Sequence, residues 1–223
     1  MNARTEILAR LRAARAAAAA PTGAPASPAP APPAERPAGD LMDRLAERLR
    51  DYRAVVHRCP PDGLAATLAR VLADSRLVVA PADLPAEWLR GHDGEVRREA
   101  VEEPLPWSLL DRAGTTVVTG CAAAIAETGT ILLDSGRWQG RRELTLVPDH
   151  HVCVVFAAQV VRSVPDGLAR LPDPTRPLTL ISGPSATSDI ELTRVEGVHG
   201  PRRLEVMIIE SGRSKPGPVM VGG

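Results

Sequence analysis

The sequence contains few cysteines, and their placement excludes several classes of site. Cys59, Cys121 and Cys153 are far apart and odd in number. They form neither a disulfide framework nor a Cys-x-x-Cys pair, so reduced thiols in the cytoplasm are the simplest interpretation. Because an iron–sulfur cluster usually takes four thiolates, we expect no such cluster, and no other cofactor, within this chain.

An excess of charge, a long apolar run and a nucleotide fingerprint are also missing. The 27 basic residues balance the 27 acidic ones, which gives no reason to expect a nucleic-acid partner. No apolar run approaches the ~20 residues of a membrane span. The alanine run at 16–20 is too short for a secretory signal, which favours a cytoplasmic protein. Neither Gly-x-Gly-x-x-Gly nor Gly-Lys-Ser/Thr occurs, which argues against a nucleotide held in the usual ways.

Aromatic residues are scarce, so the core must be built from Val, Leu, Ile and Ala. These residues form near-continuous runs, which favour a largely parallel sheet buried on both faces and therefore an α/β fold with flanking helices. The predicted strands are 53–57, 77–80, 115–119, 130–133, 144–147, 152–156, 178–181 and 204–209. The predicted helices of this domain are one that starts at Asp40 as N-cap, then 63–73, 84–89, 107–113 and 164–171.

Composition divides the chain into four parts. Residues 1–20 contain an N-terminal helix, predicted over 4–20, and residues 21–39 form a linker that contains seven prolines. The α/β domain spans 40–210, and 211–223 form a Gly/Pro-rich tail. The first helix is either a loosely attached arm or a docking element for another chain.

Two segments carry most of the functional signal: Gly120–Thr130 and Ile181–Glu191. In each, a strand-like apolar run meets small, hydroxylated and acidic residues. Ligands bind at such junctions in open α/β sheets. We therefore expect both segments to share one pocket on one rim of the sheet, as a cleft that joins Glu127, Ser185 and His199.

These segments, with three others, resemble the lactate utilization protein C family, whose shared unit is the LUD domain. The pieces that carry the resemblance are Ala-Glu-Thr-Gly-Thr at 126–130, Gly140-Arg141, Pro-Asp-His-His-Val at 148–152, Ser-Gly-Pro-Ser-x-Thr-x-Asp-Ile-Glu at 182–191 and Gly-Val-His-Gly-Pro at 197–201. The resemblance covers roughly residues 40–210. The long proline-rich linker departs from the family's shorter connection.

The resemblance implies a fold like that of the glucosamine-phosphate deaminase (NagB), ribose-phosphate isomerase (RpiA) and CoA-transferase group. It also implies a role in oxidising L-lactate to pyruvate beside two partner proteins that carry the iron–sulfur clusters. The chemical role of the C component itself does not follow from the family.

Glu127 is the candidate catalytic residue, and Thr128, Gly129 and Thr130 are candidate ligand contacts. A carboxylate before a strand can act as a general base or a nucleophile. The CoA-transferase relatives use a glutamate nucleophile, but their surrounding motif is not present here. In the alternative interpretation Glu127 only braces a helix–strand junction and Gly129 only supplies unusual dihedral angles.

The second segment predicts a strand, a small loop and the start of a helix. Backbone N–H groups at a helix start attract carboxylates or phosphates, and hydroxyl groups add hydrogen bonds. The alternative is a capped turn without a ligand. The candidate ligand contacts here are Ser182, Gly183, Ser185, Thr187 and Asp189.

Histidines and a Gly-rich loop provide the remaining candidates. His199 between two glycines could bind a carboxylate, or it could be an ordinary turn residue. His150 and His151 should point to opposite faces of a strand, so we expect no metal site from them. We expect His57 and His92 to be surface or loop residues without companions.

The loop that follows the strand at 130–133 contains Arg141 and Trp138. Arg141 could clamp a carboxylate, and Trp138 suggests a contact surface for a ligand or another chain.

Three functions remain open from the sequence. The first is an accessory subunit of a cytoplasmic lactate-oxidising complex, without catalysis of its own. The second is a free-standing enzyme that uses Glu127 on a small carboxylate or thioester, with the Ser182–Ser185 loop as an oxyanion cradle. The third is a binding module for a small carboxylate.

Overall fold

The computed structural model describes residues 3–17, 38–100, 102–173, 175–188, 194–196 and 200–210. Its helices are α1 (Ala3–Ala17), α2 (Ala38–Asp51), α3 (Leu64–Val71), α4 (Trp107–Leu110), α5 (Arg142–Leu146) and α6 (Val164–Ala169). Its strands are β1 (Val55–Cys59), β2 (Leu77–Pro81), β3 (Glu95–Glu99), β4 (Thr115–Thr119), β5 (Ala123–Ile125), β6 (Thr130–Leu133), β7 (His150–Phe156), β8 (Val160–Val161), β9 (Thr179–Ile181), β10 (Ala186–Ser188), β11 (Arg194–Glu196) and β12 (Arg203–Ile209). Single 3-10 turns occupy Pro61–Gly63, Ala86–Leu89 and Ala157–Gln159.

Helix α1 forms a unit of its own, apart from the unit that contains all other elements. Its apolar side chains Ile7, Leu8 and Leu11 are exposed. The predicted linker at 21–39 and tail at 211–223 lie outside the described residues, except for the first two residues of α2 at the end of the linker.

The main sheet has six parallel strands in the order β1-β12-β7-β4-β2-β3. All residues of β2 and β4 are buried, which explains why their sequences are continuous apolar or Thr/Val runs rather than alternating ones. The α/β class and the parallel sheet predicted from the sequence are therefore confirmed.

A second sheet of four strands has the order β8-β5-β6-β9. Strands β5 and β6 form an antiparallel hairpin, β8 is parallel to β5, and β9 is antiparallel to β6. A further antiparallel pair joins β10 to β11. The β6–β9 pairing places the two signal-bearing segments side by side.

The core has two principal layers, one on each face of the main sheet. On one face, Leu68 of α3 packs with Val152 and Met207. On the other, Leu45 and Leu49 of α2 pack with the second sheet and with side chains of β12. Helix α2 begins at Ala38, so Asp40 lies in its first turn rather than at the N-cap. In the first turn its carboxylate still interacts favourably with the positive end of the helix dipole.

One predicted element is wrong, for a physical reason. Residues 144–147 form the end of helix α5 and the residue after it instead of a strand, because a short apolar run fits a buried helical turn equally well. Ala186–Ser188 form β10, and the helix start predicted in this segment, with Ser188 or Asp189 as N-cap, would continue into residues outside the described ones.

Candidate functional site

Strands β6 and β9 bring the two signal-bearing segments into direct contact. Ile131 pairs with Ile181, and the hydroxyls of Thr130 and Ser182 lie 2.8 Å apart. Thr128 extends this chain of hydroxyls, with its Oγ1 at 2.7 Å from that of Thr130. The approach of the two segments, expected from the sequence, is therefore observed at Thr130 and Ser182.

The Ser182–Ser185 loop lines a cavity of about 180 Å³ together with His151. Since a water takes up about 30 Å³, this space suits a molecule of only a few carbon atoms. The described residues that line it include no side chain with a formal charge at neutral pH. The cavity therefore offers neutral hydrogen-bonding groups within an apolar wall.

His151 is the most unusual of these lining residues. It is fully buried, and its Nε2 lies 2.8 Å from Oγ1 of Thr119. Its Nδ1 has no hydrogen-bond partner among the residues that the structure describes. Burial, with a smaller contribution from the neighbouring His150, lowers the pKa of His151 to about 3, so the ring is neutral at physiological pH.

Glu127 lies outside this cavity. Its side chain is exposed and lines a separate surface pocket with Arg48, Asp51 and Tyr52. Glu127 and Ser185 therefore line different pockets, so the single cleft expected to join them is not formed. His199 and Asp189 lie outside the described residues, as does the side chain of Thr187.

One glycine in each segment is required by packing against the end of α2 and the residue that follows it. Gly129 and Gly183 have φ angles of 62° and 91°, which side chains rarely adopt. A Cβ atom at Gly129 would lie 2.7 Å from Cβ of Arg48, and one at Gly183 would lie 2.6 Å from the carbonyl oxygen of Tyr52. This geometry favours the structural interpretation of Gly129 over a ligand contact.

Arg141 is held by an internal carboxylate rather than presented to a ligand. Its Nε donates to Oε1 of the buried Glu99 at 2.9 Å, and Nη2 donates to the carbonyl of Leu105 at 2.8 Å. The hydrogen bond to Glu99 is the main cause that raises the pKa of Arg141. Because these acceptors occupy the Nε–Nη2 edge of the guanidinium, that edge is not available as a carboxylate clamp. Arg141 still lines a wide cavity of about 890 Å³.

Trp138 packs within the chain instead of forming an exposed contact surface. Its ring lies edge-on to Trp88 with centroids 5.0 Å apart, and it also contacts Phe156. Its backbone carbonyl accepts a hydrogen bond of 2.8 Å from Gly120, directly after β4. The indole therefore fixes the loop after β6 against the carboxyl ends of the neighbouring strands.

A buried carboxylate with two histidines was missed from the sequence. Glu205 on β12 is 2% exposed, and its Oε2 lies 2.5 Å from Nε2 of His57 on β1. Its Oε1 lies 3.2 Å from Nε2 of His150 on β7 and 2.5 Å from Nη2 of Arg203. The expectation that His57 has no companion is therefore wrong, and only the strand order β1-β12-β7 reveals this cluster.

The pKa of Glu205 reflects opposing effects. Burial raises it, but the contacts with His150 and His57 and the charge of Arg203 together lower it to about 2. His150 continues the network to Oγ1 of Thr116 at 3.0 Å, whereas His151 bonds Thr119. The side chains of the two adjacent histidines therefore lie on opposite faces of the strand, as predicted.

Comparison with known proteins assigns the family. The LUD domain model matches residues 111–209. The chain is 47% identical over 174 residues to Lactate utilization protein C of Deinococcus radiodurans, which covers 76% of this chain and 80% of that protein. The chain belongs to the lactate utilization protein C family.

Two further comparisons support this LUD-domain assignment. Lactate utilization protein C of Halalkalibacterium halodurans is 34% identical over 103 residues, or 42% of this chain and 43% of that protein. The crystal structure of a DUF162 family protein from Deinococcus radiodurans has a TM-score of 0.67 and 40% identity, and covers 78% of this chain and 99% of its own. The family resemblance inferred from the sequence is thus confirmed.

In the described ranges, no group of three or more His, Cys, Asp or Glu side chains is arranged to hold a metal ion. Of the helices that the structure describes, none is both long and apolar enough to cross a bilayer.

Proposed function

We propose that this chain serves lactate utilization as an accessory subunit of a cytoplasmic complex that oxidises L-lactate to pyruvate. The observation that carries the proposal is the 47% identity, over 174 residues, with a protein named Lactate utilization protein C. Its three cysteines, all free and buried, are fewer than the four thiolates of a usual iron–sulfur cluster. We therefore assign the iron–sulfur clusters to partner proteins.

Within this proposal, the His151 cavity is where the chain meets the small substrate or product. Its volume of about 180 Å³ suits a three-carbon acid. The hydroxyls of Ser182 and Ser185 in its lining can donate hydrogen bonds to the carboxylate of such an acid. This cavity also favours the simpler function of a binding module for a small hydroxy or oxo acid.

Deletion of the gene in the source organism tests the proposal. Growth on L-lactate should fail while growth on glucose continues, and the wild-type gene should restore it. A tagged chain should co-purify with cysteine-rich proteins that carry iron–sulfur absorbance. Unimpaired growth on lactate, together with a pull-down that lacks such proteins, would contradict the proposal.

Variants of two histidines then test the cavity. His151→Gln should weaken the thermal stabilisation that lactate or pyruvate provides by binding. His92→Gln, in a loop away from the cavity, should leave it unchanged. Equal stabilisation in wild type and His151→Gln would remove the cavity from the proposal.

An enzyme that uses Glu127 remains the second candidate, favoured by the accessibility of that side chain. Glu127→Gln should then abolish growth on lactate while the melting temperature stays unchanged. The matched control is Glu87→Gln, another exposed glutamate. Normal growth of the Glu127→Gln strain would eliminate this candidate.

A further inference from the structure

The strand-end cavity, of about 320 Å³, lies at the carboxyl ends of the parallel strands. Cys121 follows β4 there and Gln159 follows β7, while the loop that follows β6 supplies another wall. In open parallel sheets, ligands bind in crevices at this edge. The His151 cavity is a different one, because His151 lies near the start of β7.

The strand-end cavity is positively charged. Its described lining residues include the arginines Arg137, Arg170 and Arg176 and one carboxylate, Asp134. Asp134 is already engaged, since its Oδ1 accepts hydrogen bonds from the backbone of Gly136 at 3.0 Å and from Nε2 of Gln139 at 2.8 Å. The lining thus has a net charge of about two positive units, which an anion would compensate.

Each of these arginines makes a contact within the chain that orients its guanidinium, and its other N–H groups can donate to a ligand. The guanidinium of Arg137 lies over the ring of Trp138, 4.1 Å from its centroid. Arg170 donates to the carbonyl of Ala158 at 3.4 Å, and Nη1 of Arg176 lies 3.8 Å from Asp134. Because a guanidinium has five N–H donors in a planar fork, each retains the geometry that binds an oxyanion.

The loop that forms one wall is held in an uncommon conformation. Ser135 and Trp138 have φ angles of 54° and 65° although neither is glycine. Such outliers are strained and persist where the surroundings fix them, often at ligand sites. Here Asp83 accepts from the backbone N–H of Trp138 at 2.8 Å, and Gln159 ties the opposite wall through a 2.6 Å bond to Cys121.

We propose that this cavity binds a ligand that carries about two negative charges on one or two oxyanion groups, held by Arg137, Arg170 and Arg176. A phosphate ester and a dicarboxylate share this chemistry. L-Lactate, with one negative charge, would leave part of the positive charge unmatched and bind more weakly. The inference goes beyond the lactate proposal, and either one can fail without the other.

Calorimetric titration of the full-length chain at about pH 8 and constant ionic strength tests the inference, with inorganic phosphate, succinate and L-lactate as probes. At least one dianion should bind about tenfold more tightly than lactate. Arg137→Ala and Arg176→Ala should each weaken that binding by about tenfold, as expected for a lost charge-assisted hydrogen bond. Arg97→Ala removes an exposed arginine on β3 and should change nothing.

The preferred probe identifies the group: tighter phosphate binding indicates a phosphate ester, and tighter succinate binding indicates a dicarboxylate. Circular dichroism should show unchanged folding of the variants, because all three arginines are exposed. Arg170→Gln serves as a second variant if either alanine variant unfolds. The inference is overturned if neither dianion binds at millimolar concentration, or if binding is unchanged in the arginine variants.

Discussion

The hydroxyl groups of Thr130 and Ser182 lie 2.8 Å apart although 52 residues separate them in the chain. Thr130 is buried on β6 and Ser182 directly follows β9. This hydrogen bond joins the two segments that the sequence singled out, and it fixes the loop that lines the His151 cavity.

Loss of that bond should destabilise the fold. Thr130→Val removes one hydroxyl at nearly constant volume, so the hydroxyls of Ser182 and Thr128 each lose a hydrogen-bond partner. The free energy of unfolding should therefore fall by about 1–2 kcal/mol. Urea denaturation measures this. Ser108→Ala, at an exposed position of α4, should stay within about 0.5 kcal/mol of wild type. Equal stability of Thr130→Val and wild type would contradict the role of the bond.

The left-handed conformation of Gly183 should make it intolerant of a side chain. Gly183→Ala combines strain at φ 91° with a clash against Tyr52, so we expect a loss of more than about 2 kcal/mol. Gly63→Ala is the matched control, because its Cβ would meet neighbours at 3.4 Å and its φ is −87°. Similar melting temperatures for both variants would show that the contact with α2 is not needed.

Glu205 should make stability depend on pH in a defined window. Its pKa of about 2 in the fold lies below the ordinary 4.5, so its stabilisation is complete above about pH 4.5 and is lost as the pH falls toward 2. Its size is on the order of 3 kcal/mol. Glu205→Gln should remove this part of the acid dependence, whereas Glu210→Gln, an exposed control, should retain it. Identical acid-denaturation curves for wild type and Glu205→Gln would exclude the effect.

His151 should stay neutral in the fold far below its ordinary pKa of 6.5. Since the unfolded chain binds a proton there and the fold does not, the contribution of this residue to stability falls as the pH drops from about 6.5 to about 3. NMR of the ring carbons should show no protonation of His151 at pH 5. A titration of its ring near pH 6.5 would contradict the buried, neutral state.

The sequence predicted the parallel sheet well because burial on both faces leaves a direct signal. Strands such as β2 and β4 are continuous runs of β-branched and apolar residues. Strand β3, Glu-Val-Arg-Arg-Glu, was not predicted, because charged side chains on an edge strand look like a loop. Strand β5, Ala-Ala-Ile, was missed because alanine has little strand preference.

The site was predicted only in part, because the sequence does not give strand order. The apolar runs placed Ser182 and Thr130 near strand ends. They did not predict that the exposed Glu127 lies in a different pocket from the Ser182–Ser185 loop. The Glu205 cluster joins residues from β1, β7 and β12, which become neighbours only in the folded sheet. The sequence assigned His151 to one face of a strand. That its Nδ1 has no hydrogen-bond partner among the described residues could be found only from the three-dimensional structure.

Reconstituted lactate oxidation distinguishes an accessory subunit from an enzyme that acts alone. The rate of L-lactate oxidation would be measured for the purified chain, for its co-purified iron–sulfur partners and for the mixture. We expect activity in the complete mixture, none from the chain alone and a large decrease when the chain is omitted. Turnover by the chain alone, or a full rate without it, would contradict the proposed accessory role.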